Sequence, residues 1–157
     1  MQNKYWAIAL CAGLSSVAIQ VNASEFDQYL QEKAIIDSKF KIQKKTELNE
    51  LLAVLSAEDS RTLPLQIDQN TIIEQLHLSA NKTTLKGMII TPDFSQFEQD
   101  LGRREVTKVI RNNLLKNCDI FFEHRYQIAN PYKVELSLSS ETHTYNMDIS
   151  QKDCKVK

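Results

Sequence analysis

The 157-residue chain is poor in the residues that build loops and low-complexity segments, with only 3 glycines and 3 prolines. This scarcity excludes a collagen-like or low-complexity chain. It also excludes a glycine-rich phosphate-binding loop, because Gly13, Gly87 and Gly102 lie far apart. Hydrophobic residues make up 42% of the chain and charged residues 25%, which is typical of a single folded domain.

The chain also lacks an excess of positive charge, since 19 basic residues face 20 acidic ones and the formal net charge is −1. Non-specific binding to nucleic acid requires a basic surface, so we expect no nucleic-acid partner. A local basic patch is predicted on one helix; it indicates a solvated helix face, with a phosphate or acidic partner as the alternative. The patch consists of Arg103, Arg104, Lys108 and Arg111.

No catalytic or metal-binding motif is present. The chain has no G-x-S-x-G sequence, and its histidines, His77, His124 and His143, lack the spacing of H-x-x-x-H or H-E-x-x-H. The alternatives are a metal held by His77 and His143 with Glu74 or Glu141, and a dispersed pair of carboxylates for glycoside hydrolysis. We expect neither, and we predict a protein that is not an enzyme and needs no metal or cofactor.

The N-terminal 23 residues have the pattern of a secretory signal peptide. Lys4 precedes an apolar run from about Tyr5 to Ile19, and small residues precede the predicted cleavage site after Ala23. The alternative, an uncleaved membrane anchor, would need roughly 20 apolar residues. Cys11 lies inside the apolar run and lacks the position of a lipid acceptor. We therefore predict a periplasmic or secreted protein without a stable membrane anchor after cleavage.

Two cysteines remain after this cleavage, Cys118 and Cys154, which are 36 positions apart. An even number of cysteines in an exported protein favours a disulfide. The alternative is a metal-binding or redox pair, but there is no C-x-x-C sequence and no histidine at ligand spacing. A disulfide that closes this loop would stabilise the chain by roughly 4 kcal/mol in the chain-entropy model.

Residues 24–62 are predicted to form an N-terminal helical segment that precedes an α+β domain at residues 63–157. A helical period over residues 25–45 places five apolar side chains on one stripe, and a second helix begins at Thr46. The stripe either packs on the domain or acts as a docking arm that binds a partner protein, with residues 56–62 as a hinge. Its residues, named here the N-terminal stripe, are Phe26, Tyr29, Leu30, Ile36 and Phe40.

Two hairpins enclose a helical segment in the remainder of the chain. Alternating residues predict strands around residues 71–80, 83–91, 133–138 and 144–149, and the helical segment breaks at Gly102. The predicted fold is therefore two-layer α+β, with a four-stranded antiparallel sheet covered on one face by helices. Val109 and Ile110 are the expected partners of the inward side chains, which are Val134, Leu136, Leu138, Tyr145, Met147 and Ile149.

The sequence LPLQID at residues 63–68, the order of the elements that follow, and the positions of Cys118 and Cys154 form a family pattern. Over about residues 63–154 the chain resembles small exported proteobacterial proteins. These include the quorum-sensing-regulated virulence factor family and the type II secretion pilotins. The resemblance implies the α+β fold and the same disulfide. Pilotins bind a short C-terminal helix of the secretin and escort it to the outer membrane. This chain differs because no lipid-acceptor cysteine begins its mature part.

The sequence thus favours an exported, non-enzymatic module that binds another protein, either pilotin-like or an accessory factor of secretion or virulence. The alternative is a small periplasmic hydrolase or ligand-binding protein with dispersed site residues. A deep pocket with convergent polar groups would favour the alternative. A shallow apolar groove beside the helices would favour protein binding.

Overall fold

A computed structural model describes residues 24–67 and 69–154, so the predicted signal peptide lies outside the described residues. The α-helices are α1 (Glu25–Glu32), α2 (Lys45–Asp59), α3 (Phe94–Leu101), α4 (Arg103–Leu114), α5 (Cys118–Phe121) and α6 (Arg125–Ala129). The strands are β1 (Leu65–Gln66), β2 (Thr71–Ser79), β3 (Lys82–Ile89), β4 (Lys133–Ser139) and β5 (Thr144–Ser150). Short 3-10 turns occupy Ser60–Thr62, Leu115–Asn117 and Gln151–Asp153.

The sheet has five strands in the order β1-β2-β3-β4-β5, and its β3–β4 pair is parallel. The predicted four-stranded antiparallel sheet is therefore wrong, although the α+β class and both hairpins are confirmed. Residues 90–132 carry α3 to α6 and return the chain to the end of the sheet where β3 begins. Parallel pairing needs such a long crossover, and alternation within a strand does not reveal the direction of its neighbour. β1 is too short to show any alternation.

The six predicted inward side chains of β4 and β5 are buried, which confirms their orientation. They pack toward the helices, and Val106 of α4 is fully buried among them. Ile110 and Leu114 also contact this core at a spacing of four residues, so that one face of α4 points inward. Val109 lies beside that face and is 40% exposed, so its predicted packing role is wrong.

A β-bulge changes the face assignment in β2. The register with β3 shifts between Ile73 and Gln75, leaving Glu74 as the extra residue. Ile73 is consequently buried on the helix side, whereas Ile72 pairs with Met88 on the opposite face. A strict period of two would place Ile72 on the same face as Leu76 and Leu78, and the inserted residue inverts this alternation.

Gly87 pairs with Ile73 beside this bulge, and it allows a close approach of two backbones. A Cβ atom at Gly87 would lie 2.2 Å from the carbonyl oxygen of Ile72. Gly87→Ala is therefore expected to lower the free energy of unfolding by about 1–3 kcal/mol. The control is Lys86→Ala, an exposed neighbour whose effect should stay within about 0.5 kcal/mol in the same urea unfolding measurement. Equal effects of the two substitutions would contradict this backbone geometry.

The N-terminal segment folds as two helices joined by a compact loop. The predicted helix over residues 25–45 ends at Glu32, because Ala34 adopts a left-handed conformation with a φ of 53°. The chain then reverses through a β-bridge between Ile36 and Ile42. α2 begins at Lys45 and continues to Asp59, further than the sequence predicted. Residues from both N-terminal helices share one core with β4 and β5, including Leu30, Leu48, Leu52, Val134 and Ile149.

Side chains of the helices form hydrogen bonds with backbone groups of β2 and β5. From α2, the side-chain oxygen of Ser56 accepts a hydrogen bond from the Leu78 amide at 2.7 Å. From α4, Arg103 donates to the Thr144 carbonyl at 3.1 Å and Arg111 to the Asp148 carbonyl at 2.7 Å. These contacts occupy backbone groups of the edge strand β5 that could otherwise pair with another chain. Half of the predicted basic patch therefore attaches α4 to the sheet.

Cys118 and Cys154 form a disulfide in the structure. The bond joins the start of α5 to the 3-10 turn that follows β5, so it fastens the helical layer to the end of the sheet. Among the described residues, no helix has the length and apolar character needed to cross a membrane.

Candidate functional site

The structure separates the N-terminal stripe instead of presenting it as one surface. Leu30 and Ile36 are buried in the core, and Phe26 and Phe40 are partly buried against it. Tyr29 is 42% exposed and lies in a surface groove. Leu30 and Ile36 are thus unavailable to a partner while α1 stays packed, and the aromatic side chains are the accessible part of the stripe.

Asp27 holds α1 against the rest of the protein. Its fully buried carboxylate accepts hydrogen bonds from the backbone amides of Arg125 at 2.9 Å and Tyr126 at 3.3 Å, at the start of α6. The Ser24 hydroxyl donates to the same carboxylate at 2.8 Å and lies 2.9 Å from Nδ1 of His124. Sequence reasoning missed Asp27, because an acidic residue in an amphipathic helix usually lies on the solvated face. These bonds fix α1 as one wall of a surface groove.

The first groove, named here the α1–α2 groove, has a volume of about 560 Å³. Its apolar floor combines Tyr29 and Ile35 with Leu51 and Val54 of α2, and Val54 is 67% exposed. The charged side chains at its rim include both signs: Lys33, Lys44, Glu47 and Glu50. The arrangement is a shallow apolar depression with a mixed charged border.

The second groove, named here the α6 groove, has a volume of about 430 Å³. Phe40 and Phe122 contribute aromatic surface, and Ile128, which is 46% exposed, contributes aliphatic surface. The remaining lining residues are Asp119, Glu123, Arg125 and Ala129. Two aromatic side chains of the N-terminal stripe, the exposed Tyr29 and the partly buried Phe40, therefore line different grooves.

A convergent polar cluster lies around Glu98 of α3, whose side chain is 4% exposed. The carboxylate accepts hydrogen bonds from the hydroxyls of Thr142 and Tyr145 and from Ser140 Oγ at 2.8 Å, and Nδ1 of His143 lies 3.5 Å away. Burial alone would raise the pKa of Glu98, but these hydrogen bonds together outweigh it and lower the pKa to about 2. Glu98 is therefore ionised at neutral pH.

The Glu98 cluster contains no serine–histidine pair, because the hydroxyl nearest to His143 is that of Thr142, which lies 3.0 Å from Nδ1 and also donates to Glu98. A serine nucleophile requires a hydrogen bond to its general base, whereas Ser140 and His143 both direct their side chains at the Glu98 carboxylate. No member of the cluster lines either groove. The cluster instead attaches α3 to the turn between β4 and β5, which is a structural role.

The histidines do not assemble a metal site. His77 is exposed on the open face of β2, His143 lies in the Glu98 cluster, and His124 stacks on Tyr126 with ring centroids 5.9 Å apart. Within residues 24–67 and 69–154, no group of three or more histidine, cysteine or acidic residues could hold a metal ion. The alternative metal site of His77 and His143 with Glu74 or Glu141 therefore gains no support.

These observations define an α+β protein with a five-stranded mixed sheet and two surface grooves. The chain matches no protein-family profile and no curated protein sequence. Among solved structures it is similar to the type 2 secretion pilotin EpsS from Vibrio vulnificus. The two share 9% identity with a TM-score of 0.49, over 72% of this chain and 96% of the pilotin.

A secreted protein from Pseudomonas aeruginosa is similar at 10% identity with a TM-score of 0.45, over 71% of this chain and 96% of that one. Likenesses at this level assign neither a partner nor an activity. Neither structure identifies the quorum-sensing-regulated virulence factor family, so that part of the sequence resemblance stays a prediction.

Proposed function

We propose that this protein is an exported, non-enzymatic module that binds another protein through the α1–α2 groove. The observation that carries this proposal is the groove itself, whose apolar floor includes the exposed side chains of Tyr29 and Val54. Export is supported by the predicted signal peptide and fits the disulfide. An accessory role in secretion or virulence, pilotin-like or related, rests on the sequence resemblance, which consists of the LPLQID pattern, the order of the elements and the positions of the two cysteines.

The occupant that fits this groove best is an amphipathic helix of the partner protein. α2 forms one wall and, with 15 residues, is about 22 Å long, which offers about four turns for side-by-side packing. Apolar side chains of the partner would cover Leu51 and Val54. Its charged side chains would meet both signs of charge along the border, such as Lys33 and Glu50.

Site-specific photo-crosslinking in the producing cells tests this function. With benzoylphenylalanine in place of Val54, we expect one defined adduct with another exported protein. A second substitution, Tyr29→Ser, should reduce the adduct several-fold because it removes part of the apolar floor. The matched control carries the same label at Asn146, which is exposed on β5 outside both grooves. No adduct from Val54, or the same adduct at equal yield from Asn146, would overturn the proposal.

A further inference from the structure

We propose that the α6 groove is a second docking site, which binds a peptide segment of another protein that carries a large apolar side chain next to lysine or arginine. This inference concerns a different surface from the α1–α2 groove and does not depend on the function proposed there. It rests on three features of the α6 groove: its apolar lining, the conformation of Phe40, and the distribution of charge.

The apolar lining can hold one large side chain. Phe122 is nearly buried and forms the base, while Phe40 and the 46% exposed Ile128 stand at the sides. Exposed apolar surface inside a concave site is released from water when a complementary side chain enters it. A leucine or phenylalanine of a partner fits this requirement.

Phe40 occupies the groove at a conformational cost. Its φ of 61° lies in the left-handed region, which large side chains rarely adopt. The turn is held by the Asp37 carboxylate, which accepts from the amides of Lys39 at 2.8 Å and Lys41 at 2.9 Å. Asn130 also donates to the Phe40 carbonyl at 2.8 Å. Strained residues that are held this firmly cluster at ligand sites, and here the strain places an aromatic ring in the groove.

The charges around the groove favour a basic partner. Asp119 and Glu123 both line the groove and are exposed, and neither belongs to an ion pair within the described part of the chain. Two cations also lie at this groove, since Arg125 is one of its lining residues and Lys41 contacts another. The Arg125 guanidinium lies 4.9 Å from the centroid of the Phe40 ring, and the Lys41 ammonium donates to the Ala129 carbonyl. Among the residues that line the groove, the carboxylates of Asp119 and Glu123 outnumber the single guanidinium of Arg125, and a lysine or arginine next to the inserted side chain would complement the excess negative charge.

Two synthetic peptides of equal length test this inference: acetyl-Lys-Leu-Lys-Phe-Lys-amide and its counterpart with glutamate in place of each lysine. Their affinities for the disulfide-bonded protein are measured by NMR titration at low ionic strength. We expect the lysine peptide to bind at least tenfold more tightly than the glutamate peptide, with shifts centred on α5 and α6. The double variant Asp119→Asn with Glu123→Gln should abolish this preference.

A pair of matched apolar variants locates the binding. Ile128→Ser should weaken the lysine peptide about tenfold, whereas Val54→Ser in the other groove should leave its affinity unchanged. The inference is overturned if neither peptide binds at millimolar concentration, or if the preference for lysine survives in the double variant. It is also overturned if Val54→Ser, and not Ile128→Ser, weakens binding, because the peptide would then occupy the α1–α2 groove.

Discussion

Replacing Glu98 with alanine is expected to lower the free energy of unfolding by about 3–5 kcal/mol. Tyr145 is 1% exposed, and the substitution leaves its hydroxyl without the Glu98 acceptor. The hydroxyls of Ser140 and Thr142 lose the same acceptor. Urea unfolding at neutral pH measures the loss. Glu105→Ala is the control, because Glu105 is an exposed acid on α4 and should contribute about 0.5 kcal/mol or less. A loss at Glu98 no larger than at Glu105 would show that the cluster does not hold α3 to the sheet.

The same carboxylate should make stability depend on pH. Its pKa falls from 4.5 to about 2 on folding, so the ionised form is favoured in the folded state. The stabilisation is fully present above about pH 4.5 and is lost as the pH falls toward 2, and it amounts to about 3 kcal/mol. The unsubstituted protein should have a higher free energy of unfolding than the Glu98→Gln variant at neutral pH. This difference should disappear as the pH falls from about 4.5 toward 2. Parallel stability curves for the two proteins would contradict the assignment.

Leu136→Ala is expected to lower the free energy of unfolding by about 2–5 kcal/mol, as for a leucine in a well-packed core. Leu136 is 3% exposed and lies on the helix side of β4 between Leu85 of β3 and Met147 of β5. Ser137→Ala, one position along on the opposite face, should change stability by about 0.5 kcal/mol or less. Comparable effects of the two substitutions in denaturant unfolding would place β4 in a different register.

The hairpins and the helix break were predictable because local patterns determine them. Buried positions alternate with partly buried ones in β4 and mostly with exposed ones in β5, so their inward faces follow from the period of a strand. The break at Gly102 also follows from the sequence, since the apolar stripes on its two sides do not share a phase. The residue there has a φ of 76°, which glycine adopts without strain.

Features that depend on contacts between distant segments were not predictable. The parallel pairing of β3 with β4 is decided by where the crossover returns the chain, and β1 is recognisable only through its pairing with β2. The bulge at Glu74 exchanges the faces on which Ile72 and Ile73 lie, and no turn residue within the strand indicates it in the sequence. Glu98 looks like an ordinary exposed helix residue until the turn between β4 and β5 covers it.

The candidate sites were predicted only in part, because burial of a helix residue also depends on contacts with distant segments. The helical period identified the apolar residues near the N-terminus, but it could not separate Leu30 in the core from Tyr29 in a groove. Val54 was overlooked, although it is an apolar residue out of phase with the buried Leu48 and Leu52. An apolar residue on the polar side of an amphipathic helix is the signal that could have found it.

The N-terminal helices belong to the same core as the sheet, so that the α1–α2 groove exists before a partner arrives. Native-state hydrogen exchange tests this claim directly, because it measures the free energy of opening at individual amides. We predict that the amides of Leu30 in α1 and Leu52 in α2 open with the same free energy as that of Leu136 in β4. Opening of the N-terminal amides at a free energy several kcal/mol lower would contradict the claim and would indicate a detachable arm.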